Sequence, residues 1–582
     1  MNLFAHFRHI IVEALDQLRQ QGRLPQGLDF SLITCEPPRD TTHGDIATNA
    51  AMVLAKSAKV SPLKIAEILV ELLKEHKAVK SCSIAGPGFV NLTLHDTFWR
   101  NHLGLILEQG LRYGDSNLGQ GVKINLEYVS VNPTGPMHVG HSRGAVFGDV
   151  LASVLQKTGY VVCREFYIND AGTQADHLAR SVYQRYLEAL GEKPTQDGQY
   201  PGDYLIPVGQ ALAQKLGDVW VKKPETLWLE PIREFAIDAM MALIRRDLDQ
   251  IGIHHDVFTS ERALVQRGAV DETFNKLEEL GLIYVGTLEP PKGKLLDDWE
   301  PRPQTLFRSS QFGDDVDRPL KKSDGSWAYI AADIAYHYDK FQRGFNSLIN
   351  VLGVDHGGYV KRISAATKAI TQSQANLEIK LCELVRFMQN GEPLKMSKRS
   401  GTFITVEDVV SEVGADVLRF MMLTRKNDAP LDFDFAKVIE KSKDNPVFYV
   451  QYAHARACSV MRHAAEAFPE TNVLSQDLLK AHLELLTAEE DLAMIKLLSQ
   501  WPRQVELAAE ALEPHRLAFY LNDVAAGFHT LWAKGKEDAE LRFIFAADKE
   551  KTIAKLSLIK GVATVIASGL EVFGVKALEE MR

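Results

Sequence analysis

The sequence predicts a multidomain α/β protein: a small α+β module first, a doubly wound parallel sheet with insertions in the middle, and an all-α helical bundle at the end. Three observations carry that expectation. Residues 122–170 run strand, glycine-bearing turn, helix, strand, the order of a parallel α/β sheet. From Asn445 onward almost every segment has helical periodicity. The length, 582 residues, suits roughly three or four domains.

Residues 3–22 read as a helix, as does "LAKSAKVSPLKIAEILVELLKEH". "CSIAGPGFVNLTL" passes through Gly86-Pro87-Gly88 into an alternating strand. These make an N-terminal module, residues 1–115, that ends in the Gly/Asn-bearing "YGDSNLGQG". The middle domain, 116–440, opens with the strand "VKINLEYVSV". The helix "SRGAVFGDVLASVLQKTG" stops at Gly159, and "YVVCREFYIND" is the second strand. Residues about 175–300 are helical and polar, as in "GEKPTQDGQYPGDY", and read as an insertion. The α/β pattern resumes at "SWAYIAADIAYHYDKF" and "SLINVLGVDHGGY". Residues 441–582, with "PVFYVQYAHARACSVMRHAAEAF" and "KLSLIKGVATVIASGLEVFG", predict the helical bundle.

Composition narrows the classes. Hydrophobic residues are 46% and charged residues 24%, ordinary for a globular protein with sizeable cores. A net charge of −10 argues against coating nucleic acid through bulk charge and leaves room for a local basic surface. The N-terminus lacks a secretion signal, and no apolar run is expected to span a membrane. Cys35, Cys82, Cys163, Cys382 and Cys458 are scattered with no CxxC pair, so reduced cytoplasmic thiols and no protein-bound zinc are expected.

Two motifs carry chemistry. In "NPTGPMHVGHSRG", Asn132 to Gly144, His138 and His141 are three apart at the mouth of a helix, where free N–H groups and the dipole favour an anion. Gly140 lets a flat ligand approach the backbone. A metal pair or two incidental surface histidines are the alternatives. About 250 residues on, "GEPLKMSKRSGTFITVEDVV" places Lys395 and Lys398 around Met396-Ser397, a cation cluster able to close over a polyphosphate.

Together "HVGH" and "KMSKR", in this order and in this βα context, resemble the two signatures of the class I aminoacyl-tRNA synthetases. The resemblance implies a Rossmann-type catalytic domain, activation of an amino acid by ATP with Mg²⁺, and transfer to tRNA. "EYVSVNPTGPMHVGH", "SDGSWAYIAADIAYHYDKF" and "LGVDHGGY" are similar to segments of the arginyl-tRNA synthetases of bacterial type, as are "HGDIATNAAMVLAK" and "GPGFVN" in the N-terminal module. The implied partners are tRNA(Arg), L-arginine and ATP, with a monomer as the family expectation and activation that requires tRNA.

The site residues follow from that resemblance. A guanidinium is planar, permanently charged and rich in donors, so its pocket needs carboxylates. Asp333 and Glu127 are expected to hold it, with Tyr329 along its side and Ser130 and Asn132 at the α-amino end. His138, His141, Lys395 and Lys398 are expected to act on the phosphates. His141 reaches both substrates, and Gly140, Met396, Gly353 and Asp355 belong to the ATP site, while Val354 offers only backbone or packing. For tRNA, Phe89 and Asn91 are expected at the elbow. Tyr449, Gln451, Tyr452, His454 and Arg456 are candidates at the anticodon, several of them core by helical spacing. A synthetase for another amino acid and a regulatory tRNA-binding protein are the rival readings; the carboxylates and the intact His138, His141, Lys395 and Lys398 speak against them.

Overall fold

The computed structural model describes residues 2–194, 199–288, 302–394, 404–442, 444–469 and 476–581. The first helix, Leu3–Gln20, is capped by Asn2, whose side chain accepts the Phe4 and Ala5 N–H groups, and it buries Phe7, Ile11, Leu15 and Leu18 on one stripe. Against it lies an antiparallel sheet of β1 (Cys35–Glu36), β2 (Ile46–Thr48), β3 (Val79–Ala85) and β4 (Phe89–Leu94), in the order β1-β2-β4-β3. The helical stretch from Leu54 onward is two helices, Ala50–Ala58 and Pro62–Leu73, rather than one. Lys59 turns left-handed after the first, and Ser61 and Pro62 start the second. The next helix, Asp96–Gln109, reaches out of the module. Arg100 Nε donates to the Leu486 carbonyl at 3.0 Å, in the helical domain.

The central domain is built on β5 (Lys123–Glu127), β6 (Val161–Ile168) and β7 (Val257–Ser260). A three-stranded antiparallel sheet of β8 (Ile283–Gly286), β9 (Gln304–Phe307) and β10 (Arg318–Pro319) follows, then β11 (Ser347–Gly353) and β12 (Asn376–Cys382). β12-β11-β5-β6-β7 form one sheet, every neighbouring pair parallel. β7 lies inside the stretch read as an insertion. At four residues, with Thr259 and Ser260 among them, it is too short to show a strand pattern. A further small sheet, β13 (Val385–Gln389), β14 (Glu392–Pro393) and β15 (Leu431–Asp434), closes the domain.

Strand order reverses between β5 and β11, and in such sheets ligands bind in the crevice beyond the carboxyl ends at that point. The register puts Asn350, Glu127 and Glu165 in one row across β11, β5 and β6, all buried. Two buried carboxylates side by side require cations. The helix Tyr329–Gln342, which covers this face, supplies Lys340, 2.6 Å from Glu127. Arg343 just beyond its end gives both Glu165 oxygens a hydrogen bond at 2.8 Å.

The C-terminal part is helical: Pro446–Ala467, Glu489–Leu498, Trp501–Ala511, His515–Glu537 and Lys549–Val572. The last helix corrects the expectation about membranes: by length and composition it could cross one, yet 83% of its apolar window is buried inside the protein. Arg419 ties the domains together. Buried, it reaches Asp149 at 2.6 Å, the Ile251 carbonyl at 2.7 Å and the Phe573 carbonyl at 2.6 Å.

Candidate active site

β5 ends at Glu127, and the expected strand does not continue. Val129 and Ser130 both take left-handed backbone conformations, φ 71° and 40°. Such conformations in non-glycine residues cost about 1–3 kcal/mol each and persist only where their surroundings hold them. Here Ser130 Oγ donates to Glu127 Oε1 at 3.1 Å and accepts the Tyr167 N–H at 3.0 Å. The turn delivers Asn132 to the crevice mouth, where it accepts from Asn169 and donates to Gln174.

His138 caps and His141 ends a 3-10 turn, Val139–His141, just ahead of helix Ser142–Lys157. His138 Nδ1 accepts the Gly140 N–H at 2.8 Å, and His141 Nδ1 accepts the His138 N–H at 3.2 Å. A nitrogen that accepts cannot carry the proton, so each neutral imidazole holds its proton on Nε2 and presents an N–H donor there. Gly140 has a steric reason besides ligand approach: a Cβ would come within 2.9 Å of His138 Nδ1. Met137 N–H donates to the buried Asp247 at 2.8 Å, so the long insertion helix Glu225–Gln250 braces the motif.

Lys395, Met396 and Lys398 lie outside the described residues. The residues that follow them are bonded to the histidine motif. Val139 N–H donates to the Ile404 carbonyl and Val406 N–H to the Met137 carbonyl, both at 3.0 Å, around a bridge between His138 and Thr405. The chain at Ile404–Val406 is therefore held beside the first motif.

Asp333 stands one helical turn after Tyr329 on the helix Tyr329–Gln342. The Tyr359 hydroxyl donates to it. Burial pushes its carboxyl up to about 7, the nearby Glu127 adds to the rise, and Tyr359, Arg362 and Lys340 oppose it. Tyr329 is 67% exposed and open to a ligand on the rim. Glu127 does not wait for a guanidinium with a free charge, because Lys340 already holds it. Sequence reasoning missed Lys340 and Tyr359. Lys340 had a signal, its position seven residues beyond Asp333 on one helical face; Tyr359 had none, since its partner Asp333 lies 26 residues earlier, on the helix Tyr329–Gln342.

Gly353 ends β11, where a Cβ would strike the Asp355 carboxylate at 2.4 Å. Asp355 is exposed at the rim, 3.8 Å from His356. The structure thus brings Glu127, Ser130, Asn132, His138, His141 and Asp333 around the switch point, with Gly353 and Asp355 on its β11 side.

The RNA candidates lie elsewhere and divide. Phe89 is 39% exposed at the start of β4, but Asn91 is only 5% exposed within the sheet, which corrects its expected place as an open hydrogen-bonding group beside Phe89. In the helical domain Arg456 lies over the rings of Tyr452 and Trp532, 4.4 and 4.9 Å from their centroids, and donates to the Tyr452 hydroxyl at 2.7 Å. Tyr449 packs on His529, ring centroids 4.6 Å apart. Gln451 and His454 are buried instead, bonded to the Lys576 and Leu578 carbonyls of the C-terminal tail.

Among the described residues no group of three or more His, Cys, Asp or Glu is placed to hold a metal ion.

Comparison with known proteins adds to this geometry. Residues 5–94 match the family model described as the arginyl tRNA synthetase N terminal domain, residues 102–200 that of the tRNA synthetases class I (R) catalytic domain, and residues 450–581 that of the DALR anticodon binding domain. Over the whole of both chains the sequence is 56% identical to an arginine–tRNA ligase of Rhodospirillum rubrum and 58% identical to one of Ruegeria pomeroyi. The fold is similar to the solved arginyl-tRNA synthetase of Thermus thermophilus, with a TM-score of 0.71 at 21% identity over 99% of this chain and 100% of that one. That of Plasmodium falciparum gives 0.71 at 16% identity over 100% of both.

Proposed function

The chain belongs to the arginyl-tRNA synthetase family, and from that premise we propose how its crevice and outlying surfaces divide the work of an arginine–tRNA ligase. The activity is the ATP-dependent attachment of arginine to tRNA(Arg) through an arginyl-adenylate, giving arginyl-tRNA, AMP and diphosphate.

In our reading the guanidinium lies against Asp333 and Glu127 under the Tyr329 ring. Asp333 supplies the charge. Glu127, with Lys340 attached, serves as a hydrogen-bond acceptor with little net charge to offer. Ser130 and Asn132 hold the α-amino end. A carboxylate oxygen of arginine attacks the α-phosphorus of ATP, and diphosphate leaves. The Nε2–H groups of His138 and His141, with Lys395 and Lys398, meet the charge that develops on the phosphates. Gly140 and Met396 pack against the nucleotide, and Gly353 and Asp355 hold its ribose, whose hydroxyls donate to the carboxylate. Mg²⁺ arrives on the triphosphate as part of the substrate. A hydroxyl of the terminal tRNA ribose then attacks the adenylate carbonyl, and AMP departs.

Residues 1–115 would take the tRNA elbow through Phe89, residues 116–440 carry catalysis, and residues 441–582 take the anticodon loop on Tyr449, Tyr452 and Arg456. We assign a monomer working in the cytoplasm. The convergence of Glu127, Ser130, His138, His141 and Asp333 on one switch-point crevice carries the reading. ATP–diphosphate exchange with arginine, run with and without tRNA, tests it. Arginine-dependent exchange in the presence of tRNA is expected, and its absence from folded protein would overturn the assignment.

A further inference from the structure

We propose that Arg143 is a positioning residue for the activation step: it pegs the start of the helix Ser142–Lys157 to the small sheet that leads into Lys395 and Lys398, and so sets the distance between the two motifs. This rests on the assignment of those lysines, and of His138 and His141, to the phosphates. Arg143 is the second residue of that helix, directly after the histidine motif, and is only 1% exposed. Its guanidinium forks. Nη1 donates to the Glu383 carbonyl at 3.0 Å and Nη2 to the Lys426 carbonyl at 2.8 Å.

Those two carbonyls mark the entries to the sheet of β13, β14 and β15. Glu383 directly follows β12 and precedes β13. Lys426 lies on the chain that runs from the helix Ala415–Met421 into β15, and β13 pairs with β15 in parallel from Val385 and Leu431 onward. The entries are also bonded to each other. Glu383 N–H donates to the Asn427 carbonyl, and Asn427 Nδ2 to the Leu381 carbonyl, both at 2.7 Å. Farther along, Asp434 of β15 accepts the Asn390 and Gly391 N–H groups at the turn between β13 and β14, at 3.2 and 2.7 Å. β14 ends at Pro393, immediately ahead of the second motif. Arg143 therefore holds the incoming side of that motif, while the backbone bonds of Met137 and Val139 to Val406 and Ile404 hold the outgoing side.

Packing alone does not call for an arginine here. A buried cation without an anion is costly, and the first turn of a helix is where the dipole disfavours positive charge. Among the described residues no carboxylate forms an ion pair with Arg143, and its Nε has no hydrogen-bond partner. Burial lowers its pKa, against the pull of Cys382, Glu383 and Asp428. An apolar side chain of similar volume would fill the space at lower cost. It could not fix two separate segments at once, which a planar fork of donors does. A misplacement of about 1 Å far from the chemistry can cost ~10²-fold in rate, and alignment of the two motifs is what this fork secures.

The test is a double-mutant cycle on the full chain, read by ATP–diphosphate exchange with arginine in the presence of tRNA and by urea denaturation. Arg143→Lys keeps the charge but cannot reach both carbonyls. It should lower kcat about 10–100-fold and leave KM for arginine within about twofold, since the fork touches no part of the Asp333 pocket. Combined with Lys398→Ala, it should add less than about threefold to the loss from Lys398→Ala alone, because a lysine that is gone can no longer be misplaced. Arg143→Met keeps the stem and removes the buried charge. It should show the same loss of kcat and the same non-additivity, and it decides the matter if the lysine variant fails to fold. Losses that multiply in full, or a folded variant with native kcat, would overturn the proposal and leave Arg143 a cross-link of the core. Lys398→Ala without effect would instead remove the assignment of the second motif, and the proposal with it.

Discussion

The crevice at the end of β5 and the aromatic face of the helical domain, proposed here to recognise arginine and tRNA, are built on opposite physics. In the crevice the charges are desolvated and answered by named partners: Glu127 by Lys340, Glu165 by Arg343, Asp333 by the Tyr359 hydroxyl. On the helical face Tyr452 is 37% exposed, and Arg456 spreads its guanidinium over two rings in contact with solvent. His529, kept neutral by burial with its pKa lowered to about 4, accepts from Arg456 at 2.9 Å and fixes the cluster. Buried charge discriminates sharply between ligands, because a wrong ligand leaves a group unpaired. Exposed stacking gives affinity in small, sequence-tolerant increments. Amino-acid choice and tRNA grip should therefore respond very differently to single substitutions.

The largest effect comes from comparing two buried ion pairs. Lys340 holds Glu127 in the crevice, and Lys555 holds both oxygens of Asp491, at 2.8 and 2.7 Å, in the helical domain. Lys340→Met and Lys555→Met should each cost about 3–5 kcal/mol of stability in urea denaturation, since each strands a buried carboxylate. Only Lys340→Met should also raise KM for arginine. If both variants leave that constant alone, Lys340 is a structural cross-link and nothing more.

Next in size is Lys398→Ala, expected to lower kcat by at least ~10²-fold, the scale of one lost transition-state donor, with arginine binding little changed. Near-normal turnover would remove Lys398 from the chemistry. Smaller still, Arg456→Ala should raise KM for tRNA about 5–30-fold, by analogy with the lower part, ~1–2 kcal/mol, of the range for a lost stacking contact, and leave ATP and arginine unaffected. Phe89→Ala should fall at the low end of that range. A larger loss from Phe89→Ala than from Arg456→Ala, in initial-rate titrations of tRNA, would reverse the assumed weight of the two surfaces.

Much of this organisation was legible in the sequence because its signals are local. The βαβ order, the paired histidines and the C-terminal helical periodicity each sit within a few dozen residues. So does the i, i+4 relation of Tyr329 and Asp333. The rest depends on contacts between segments far apart. β7 escaped because four residues with mixed side chains carry no period. Lys340 shares a helical face with Asp333, but that spacing does not name Glu127, 213 positions earlier, as its partner. The left-handed turn at Val129 and Ser130 ran against the local strand propensity, which a β-branched valine favours. Asn91 was expected beside Phe89 as a hydrogen-bonding group, but nothing local to the strand says how deeply it lies under its neighbours.

The central claim is that a desolvated carboxylate at Asp333 reads the guanidinium, and one comparison tests it most directly. Asp333→Asn keeps the size, removes the charge and offers donors where acceptors are needed. Aminoacylation by this variant should lose about 10²–10³-fold or more in kcat/KM for arginine, the equivalent of roughly 3–5 kcal/mol for a buried charge stripped of its partner. ATP affinity should stay within a few-fold, and activity with the neutral analogue citrulline should fall far less than with arginine. Equal losses with arginine and citrulline would contradict the account, showing that Asp333 supports the fold and leaves the guanidinium to be read elsewhere.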